Sequence, residues 1–436
     1  MAKTLEIASY FTNVDLSTGM SVNLAEIELA LKRNPNQFSN IILFDQANNK
    51  LGRNGRISYA FPTGWDGVNN LRNGGFSQNQ WRETGIAAIQ PSALDIKEVD
   101  RLFEQAKQNP SGYANDFTKA LKYTGNIEDE PPEGNIKLGI STPFRILAEM
   151  QTGSPVSVDY LLGQSVNFFA GNPDVILLSN HGGSHIQGSN GDGREYDLDT
   201  NETPIYLQVT ELEAALNKAI QSYGLNNRRF GLVGYDECLM ASIETATQLS
   251  SATRYFLASE EIVPGLGYDY FRTLSNFKLK APLNFQAQVE SNARALGEAF
   301  VNTYSERNGE NFTLSLTDTD ALPRLNQAIK RYADALLESS DTFITALLKS
   351  ARLRGTNYNF PWLQDLGNLA RISRSMPSAS AELMKASNSI LANLDKAIVS
   401  NNQDYRPIKG FRHQASSGLT ITLPTTYADT ADIKSR

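Results

Sequence analysis

The chain has 436 residues, 40% of them hydrophobic and 20% charged, with a net charge of −7 at neutral pH. This is the composition of a soluble globular protein, with length for one large domain or two to three smaller ones. The acidic balance and a pI near 5.3 argue against non-specific nucleic-acid binding, no apolar run approaches the ~20 residues of a membrane span, and the single cysteine excludes a disulfide framework and a cysteine-based zinc site.

The opening "MAKTLEIASYF" has no basic segment leading into an apolar core, so a cytoplasmic location is expected, with no membrane and no nucleic-acid partner. Thr4 to Phe11 reads as a strand, Asn23 to Arg33 as a helix with Leu24, Ile27 and Leu31 on one face, and Asn40 to Phe44 as a second strand. From about Asn48 to Gly153 the pattern is looser and includes the acidic, proline-bearing Asn126 to Gly134. Ser154 and Pro155 then suit a helix start. Asp174 to Ser179, "DVILLS", is a continuous apolar run of the kind found in a buried parallel strand. Thr210 and Glu213 have capping-box spacing at the head of the next helix. "FGLVGY" (Phe230 to Tyr235) is a strand, "CLMASIETATQL" (Cys238 to Leu249) a helix, and "RYFLAS" (Arg254 to Ser259) another strand. Beyond about Lys280 helical patterns dominate: Phe285 to Tyr304, Ala321 to Leu348, Leu363 to Ser373 and Ala381 to Val399, with a late strand at Gly418 to Leu423. The βαβαβ series predicts an α/β fold with a mostly parallel sheet between helices, residues 1–280, followed by a mainly helical region, residues 281–436, whose late strand packs back on the core.

In such sheets the working residues gather beyond the carboxyl ends of the strands. Two loops leave adjacent strand ends here. "SNHGGSH" holds His181 and His185, two of the three histidines, and "YDECLM" holds Cys238. A thiolate that attacks a carbonyl needs an imidazole to move protons for it, and this pair meets that need. His181 is preferred to His185 because it directly follows the strand and precedes Gly182. Glycine there lets a backbone N–H approach a substrate. A Cys238 at a helix start would gain an N–H donor and the helix dipole for both thiolate and oxyanion. The plainer readings are a cysteine packed as a small apolar residue and a solvated loop histidine.

"GYDECLMASIETA" followed by "ASEEIVPGLGYDY" (Ala258 to Tyr270) resembles the clostripain family of cysteine peptidases, which shares a clan with caspases, gingipains, legumain and separase. The stretch from Gln151 to Gly183, "QDLGNLA" (Gln364 to Ala370) and "SSGLTITLP" (Ser416 to Pro424) also resemble that family. The resemblance implies a caspase-like three-layer α/β/α sandwich. It implies Cys238 as nucleophile with His181 as partner, and an oxyanion hole from Gly182 N–H and Cys238 N–H. Asp236 would be the acid at the base of the S1 pocket, walled by Ser259 and Glu260. A carboxylate in a narrow pocket pairs well with guanidinium or ammonium, so the implied substrate is a peptide or protein cut after Arg or Lys. Activation by cleavage between the two loops is also implied, at Arg194, Arg228 or Arg229. Two positions depart from the family pattern: Glu237, where alanine is usual, and Asn180, where aspartate is frequent.

Some relatives use calcium, but "DLDTNE" (Asp197 to Glu202) lacks the turn glycine and distal glutamate of an EF-hand loop, so no metal or other cofactor is expected. Two alternative functions stand beside the peptidase reading. One is a catalytically silent scaffold that binds a partner through the same cleft. The other is a peptidase with P1 Asp preference, which Asp236 and Glu260 oppose by like-charge repulsion. A cytoplasmic peptidase of this kind needs restraint, for which a regulatory partner protein is one means.

Overall fold

The computed structural model describes residues 4–12, 17–47, 82–113, 116, 142, 145–146, 153–190, 206–222, 228–265, 267–280, 285–308, 312–354, 358, 360, 362–404 and 416–424. The elements run in chain order as β1 (Leu5–Thr12), α1 (Ser17–Arg33), β2 (Phe38–Ala47), β3 (Arg82–Ala88), α2 (Ile96–Gln108), β4 (Arg145–Ile146), α3 (Pro155–Phe169) and β5 (Val175–Ser179). A single helical turn, α4 (Ser184–Gln187), and a short ladder of β6 (Ser189–Asn190) with β7 (Tyr206–Leu207) follow. Then come α5 (Val209–Ser222), β8 (Phe230–Asp236), α6 (Ile243–Leu249), β9 (Thr253–Ala258), α7 (Tyr270–Asn276) and α8 (Phe285–Asn308). The chain continues with β10 (Phe312–Asp318), α9 (Leu322–Leu337), α10 (Asp341–Arg354), β11 (Leu363–Asp365), α11 (Leu366–Ser375), α12 (Ala381–Ala397), β12 (Ile398–Asp404) and β13 (Thr420–Thr422).

Nine of these strands form one sheet in the order β12-β10-β9-β8-β5-β1-β2-β3-β4. The five central strands, from β9 to β2, are parallel, and both edges are antiparallel. The expected mostly parallel α/β sandwich is thus the observed one. Alternation along the strands feeds two cores. Leu5, Ile7 and Phe11 of β1 and Val175 and Leu177 of β5 join the face covered by α1, α2, α7 and α8. Ala8, Tyr10, Ile176 and Leu178 join the face covered by α3, α5, α6, α9, α11 and α12. Strands buried on both faces read as unbroken apolar runs, which is why they were legible.

Several expectations shift. The break at residue 281 is not a structural boundary: β10 and β12, both beyond it, extend the main sheet from β9. In the late strand segment β13 pairs with β11, and Thr420 bridges to Ser242. The long helix expected from Ala321 to Leu348 is two helices, because Ser340 caps the second by accepting the Phe343 N–H at 3.3 Å. The α5 cap is made by Glu211, which reaches back to the Gln208 N–H at 3.0 Å, while Glu213 instead accepts from Ser251 Oγ at 2.7 Å.

Strand order also locates the functional edge. From β1 the chain proceeds outward to β2, and from β5 it proceeds the opposite way to β8 and β9. The crevice at the carboxyl ends of β1 and β5 is therefore the switch point of the sheet, where α/β proteins bind ligands.

Candidate active site

Ser179 at the end of β5 is paired with Asp236 at the end of β8. His181 and Cys238 each lie two residues beyond that pair, so equal offsets on neighbouring parallel strands bring the two loops side by side. One cavity of about 370 Å³ is lined by His181, Gly182, Asp236 and Cys238 together. Contact between the loops is direct. A Cβ on Gly182 would lie 2.2 Å from the Cys238 carbonyl oxygen and 3.0 Å from Glu237 Cβ. Gly182→Ala is therefore expected to cut kcat about 100-fold or more and to lower Tm, since backbone has to move on both sides of the contact. A thermal melt and a rate assay check it, and a variant of wild-type activity would refute the contact.

The His loop is anchored at its root by Asn180, which is buried. Its Oδ1 accepts the His181 N–H at 2.6 Å and its Nδ2 donates to Thr12 Oγ1 at 3.2 Å. His185 sits on α4, half-buried. Burial lowers its pKa while the charge of Glu244, on α6, opposes that shift. It is not among the cavity's lining residues, whereas His181 is.

Cys238 departs from the sequence expectation in one respect. It does not open a helix; α6 begins at Ile243, where Ser242 caps it by accepting the Thr245 N–H at 3.1 Å. The helix dipole is therefore too remote to act on the thiol, since its influence is confined to the first turn. Cys238 lies in a tight turn instead, followed by Leu239 with φ 63°. That left-handed conformation costs a branched residue on the order of 1–3 kcal/mol. It is held by packing of Leu239 against Tyr358, Trp362 and Leu363, and by hydrogen bonds from Leu239 N–H to Glu261 O (3.1 Å) and Ala241 N–H to Ser259 O (2.9 Å). Val263 N–H donates to Cys238 Sγ at 3.3 Å. Burial pushes the thiol up to about 11; the Val263 bond pulls against this, and Glu237, Glu261 and Asp236 add to it.

Asp236 is buried and lines the cavity. Tyr268 N–H donates to both its oxygens, at 3.1 and 3.0 Å, and Tyr270 Oη donates at 3.2 Å. Gly267, with φ 60°, lies so close that a Cβ there would be 2.5 Å from Asp236 Oδ2. Burial raises the carboxyl to about 6, while these hydrogen bonds and the charge of Arg307 lower it. Arg307 is itself fully buried and paired with Glu26 of α1 at 2.6 Å.

Ser259 and Glu260 do not line the cavity. Ser259 Oγ donates to Glu261 O (2.9 Å) and Glu260 N–H to Thr313 Oγ1 (2.9 Å). The Glu260 carboxylate accepts from Gly418 N–H (2.9 Å) and from the Ser416 hydroxyl. Glu260 thus ties the loop to the late strand segment, Ser259 ties it to Thr313 of β10, and the wall itself is formed just beyond them by Ile262, Val263, Pro264, Gly265 and Gly267. Three further lining residues carried no local signal: Met20 and Asn23, one turn apart on α1, and Phe360, stacked on Trp362 at 4.8 Å. The Asn23 carboxamide oxygen is buried without a partner among the described residues.

Of the basic residues between the loops, Arg194 lies outside the described residues, as does the acidic run Asp197 to Glu202. Arg228 is 8% exposed and paired with Asp174 at 3.2 Å; Arg229 pairs with Asp320 at 2.8 Å.

A model of the clostripain family, peptidase family C11, matches residues 133–430. An inactive zymogen C11 protease from Parabacteroides distasonis superimposes with a TM-score of 0.58 at 14% identity, over 98% of this chain and 94% of that one. A secreted C11 cysteine protease from Bacteroides thetaiotaomicron gives 0.55 at 12% identity, over 100% and 98%. A secreted C11 cysteine protease of the same organism, in complex with an irreversible peptide inhibitor, gives 0.51 at 13% identity, over 97% and 91%. At these identities the solved structures speak to fold alone. No curated protein matches the chain.

Proposed function

Because the chain belongs to the clostripain family of cysteine peptidases, we propose that it is an endopeptidase that cuts after Arg or Lys, with Cys238 as nucleophile and His181 as its proton-transfer partner. The observation that carries this reading is Asp236, a buried carboxylate that lines the same cavity as Cys238 and His181. A cationic P1 side chain on Asp236 brings that same residue's carbonyl to Cys238.

In this mechanism His181 takes the thiol proton as Cys238 Sγ bonds to the carbonyl carbon. The carbonyl oxygen becomes an oxyanion, held by the N–H groups of Gly182 and Cys238. The C–N bond then breaks, and His181 returns the proton to the leaving amine. Water, deprotonated by His181, cleaves the thioester and restores the thiol.

The test is a fluorogenic P1 scan with Cys238→Ala as control. Arg and Lys substrates should be cleaved and Asp substrates not; faster cleavage after Asp would sink the assignment. Cleavage between the loops is part of the proposal. Arg194 is the favoured position because Arg228 and Arg229 are engaged in ion pairs at a strand start. Masses of purified wild type and Cys238→Ala decide it, and an intact, fully active wild type would end the idea. The single cysteine suits a reducing compartment, so the proposed setting is cytoplasmic.

A further inference from the structure

Glu237 is the residue of the Cys loop that the mechanism above leaves without a task. It is 1% exposed, an expensive place for a carboxyl group that does nothing. Ser189 Oγ donates to Glu237 Oε2 at 2.7 Å, and Oε1 is buried without a partner among the described residues. Ser189 is the far end of the His loop. It bridges directly to Gly182, and Gly183 N–H donates to Gly188 O at 2.9 Å, so residues 182–189 form a closed turn. The root of that turn rests on the Cys238 carbonyl through Gly182. Two contacts, one at each end, thus join the His loop to the Cys loop.

We propose that Glu237 is a positioning residue that latches the His181 loop to the Cys238 loop through Ser189, setting imidazole against thiol. The inference rests on the assignment of Cys238 and His181 made above, but not on the P1 preference. The latch acts on kcat rather than KM, because Glu237 is absent from the cavity lining and the geometry it sets is used in the transition state. The groups facing Glu237 are Tyr235, Asp236, Cys238 and Tyr268. Burial, reinforced by Asp236, pushes its carboxyl up to about 8. It is therefore mostly protonated at neutral pH, where an acceptor oxygen for Ser189 is retained without a second buried charge beside Asp236.

The experiment compares wild type with Glu237→Gln, Glu237→Met, Ser189→Ala and the double variant Glu237→Met/Ser189→Ala. Readouts are kcat and KM on a P1 Arg substrate, the acylation burst with 4-nitrophenyl acetate at pH 7, and Tm. Gln keeps an acceptor for Ser189 and is expected within about threefold of wild type. Met, Ala and the double variant are each expected to lose about 30-fold in kcat and in acylation rate, with KM little changed and the double no worse than either single. The double variant replaces both partners by apolar groups and should hold or raise Tm, so a folding defect and a lost latch are told apart. Retained kcat in the double variant, equal damage from Gln and Met, or faster acylation in Glu237→Met would overturn the latch. The ester has no P1 side chain. A wild type that is acylated by it but cleaves no Arg or Lys peptide refutes the P1 assignment, and the variants still decide the latch.

Discussion

Cys238→Ala is expected to abolish peptide hydrolysis, a loss of about 10⁴- to 10⁶-fold in kcat, with His181→Ala close behind and the double variant no worse than Cys238→Ala. The non-additivity follows from chemistry. A thiol raised to about 11 is ionised in roughly one molecule in 10⁴ at pH 7, so the nucleophile is made at the moment of attack by transfer to the imidazole, and neither group works alone. The turn that presents Cys238 contributes nothing to lower that value, since no helix begins there. The same geometry predicts the resting behaviour of this single cysteine. Its alkylation by iodoacetamide should climb with pH and show no plateau below about pH 9, because only the thiolate reacts. A plateau near neutrality would mean a stored thiolate and would overturn the account. Val263 N–H, bonded to Sγ, belongs to the cavity wall, so a peptide that fills the cavity should change this reactivity, and a P1 Arg electrophile should label faster than iodoacetamide at equal concentration.

What could be read from the sequence was set by how local each signal is. Asp174 to Ser179 and Phe230 to Tyr235 are unbroken apolar runs because both faces of a central strand are buried, and the loops that leave them carry His181 and Cys238 at equal offsets from the paired Ser179 and Asp236. That much of the site follows from strand topology. The start of α6 did not, because Cys238 to Leu249 has continuous helical character and the stronger stop is a backbone event, Leu239 in a left-handed conformation. The edge strand β12, "IVSNNQD", is too polar to stand out as a strand, and with β10 it carries the sheet past the expected boundary at residue 281. Glu260 looked like a pocket wall beside Asp236, yet its carboxylate is committed to Ser416 and Gly418, more than 150 residues on. Met20, Asn23 and Phe360 reach the cavity from helix and loop positions with no motif of their own. Long-range placement of that kind leaves no local trace.

Asp236→Asn should reduce kcat/KM for P1 Arg peptides by about 10²- to 10⁴-fold, the effect of breaking a buried charge pair worth about 3–5 kcal/mol. Turnover of 4-nitrophenyl acetate, which offers no cation, should change little. An acid limb specific to basic P1 has the same origin. Burial raises the folded-state carboxyl above its ordinary 3.8 to about 6, and kcat/KM reports the free enzyme. Specificity for basic P1 should therefore decline as pH falls through about 6 and the carboxyl takes up a proton. In kcat the same limb should lie lower, because a bound cation holds the carboxylate ionised. The Asn variant should lose this limb from the ratio of Arg to neutral P1 cleavage, while any limb set by protonation of the His181 base is common to all substrates and stays. Linkage runs in the opposite sense for stability. A carboxyl whose pKa is raised on folding is best tolerated when protonated, so its cost appears as pH rises from 3.8 to about 6 and is complete above that range, on the order of 3 kcal/mol. Asn keeps an acceptor for the Tyr268 N–H without the buried charge. The variant should accordingly melt higher than wild type at pH 8 and match it near pH 4, while cleaving Arg peptides far more slowly. Equal melting at both values, or an unchanged preference for Arg over neutral P1, would show that the cavity recognises its substrate by other means.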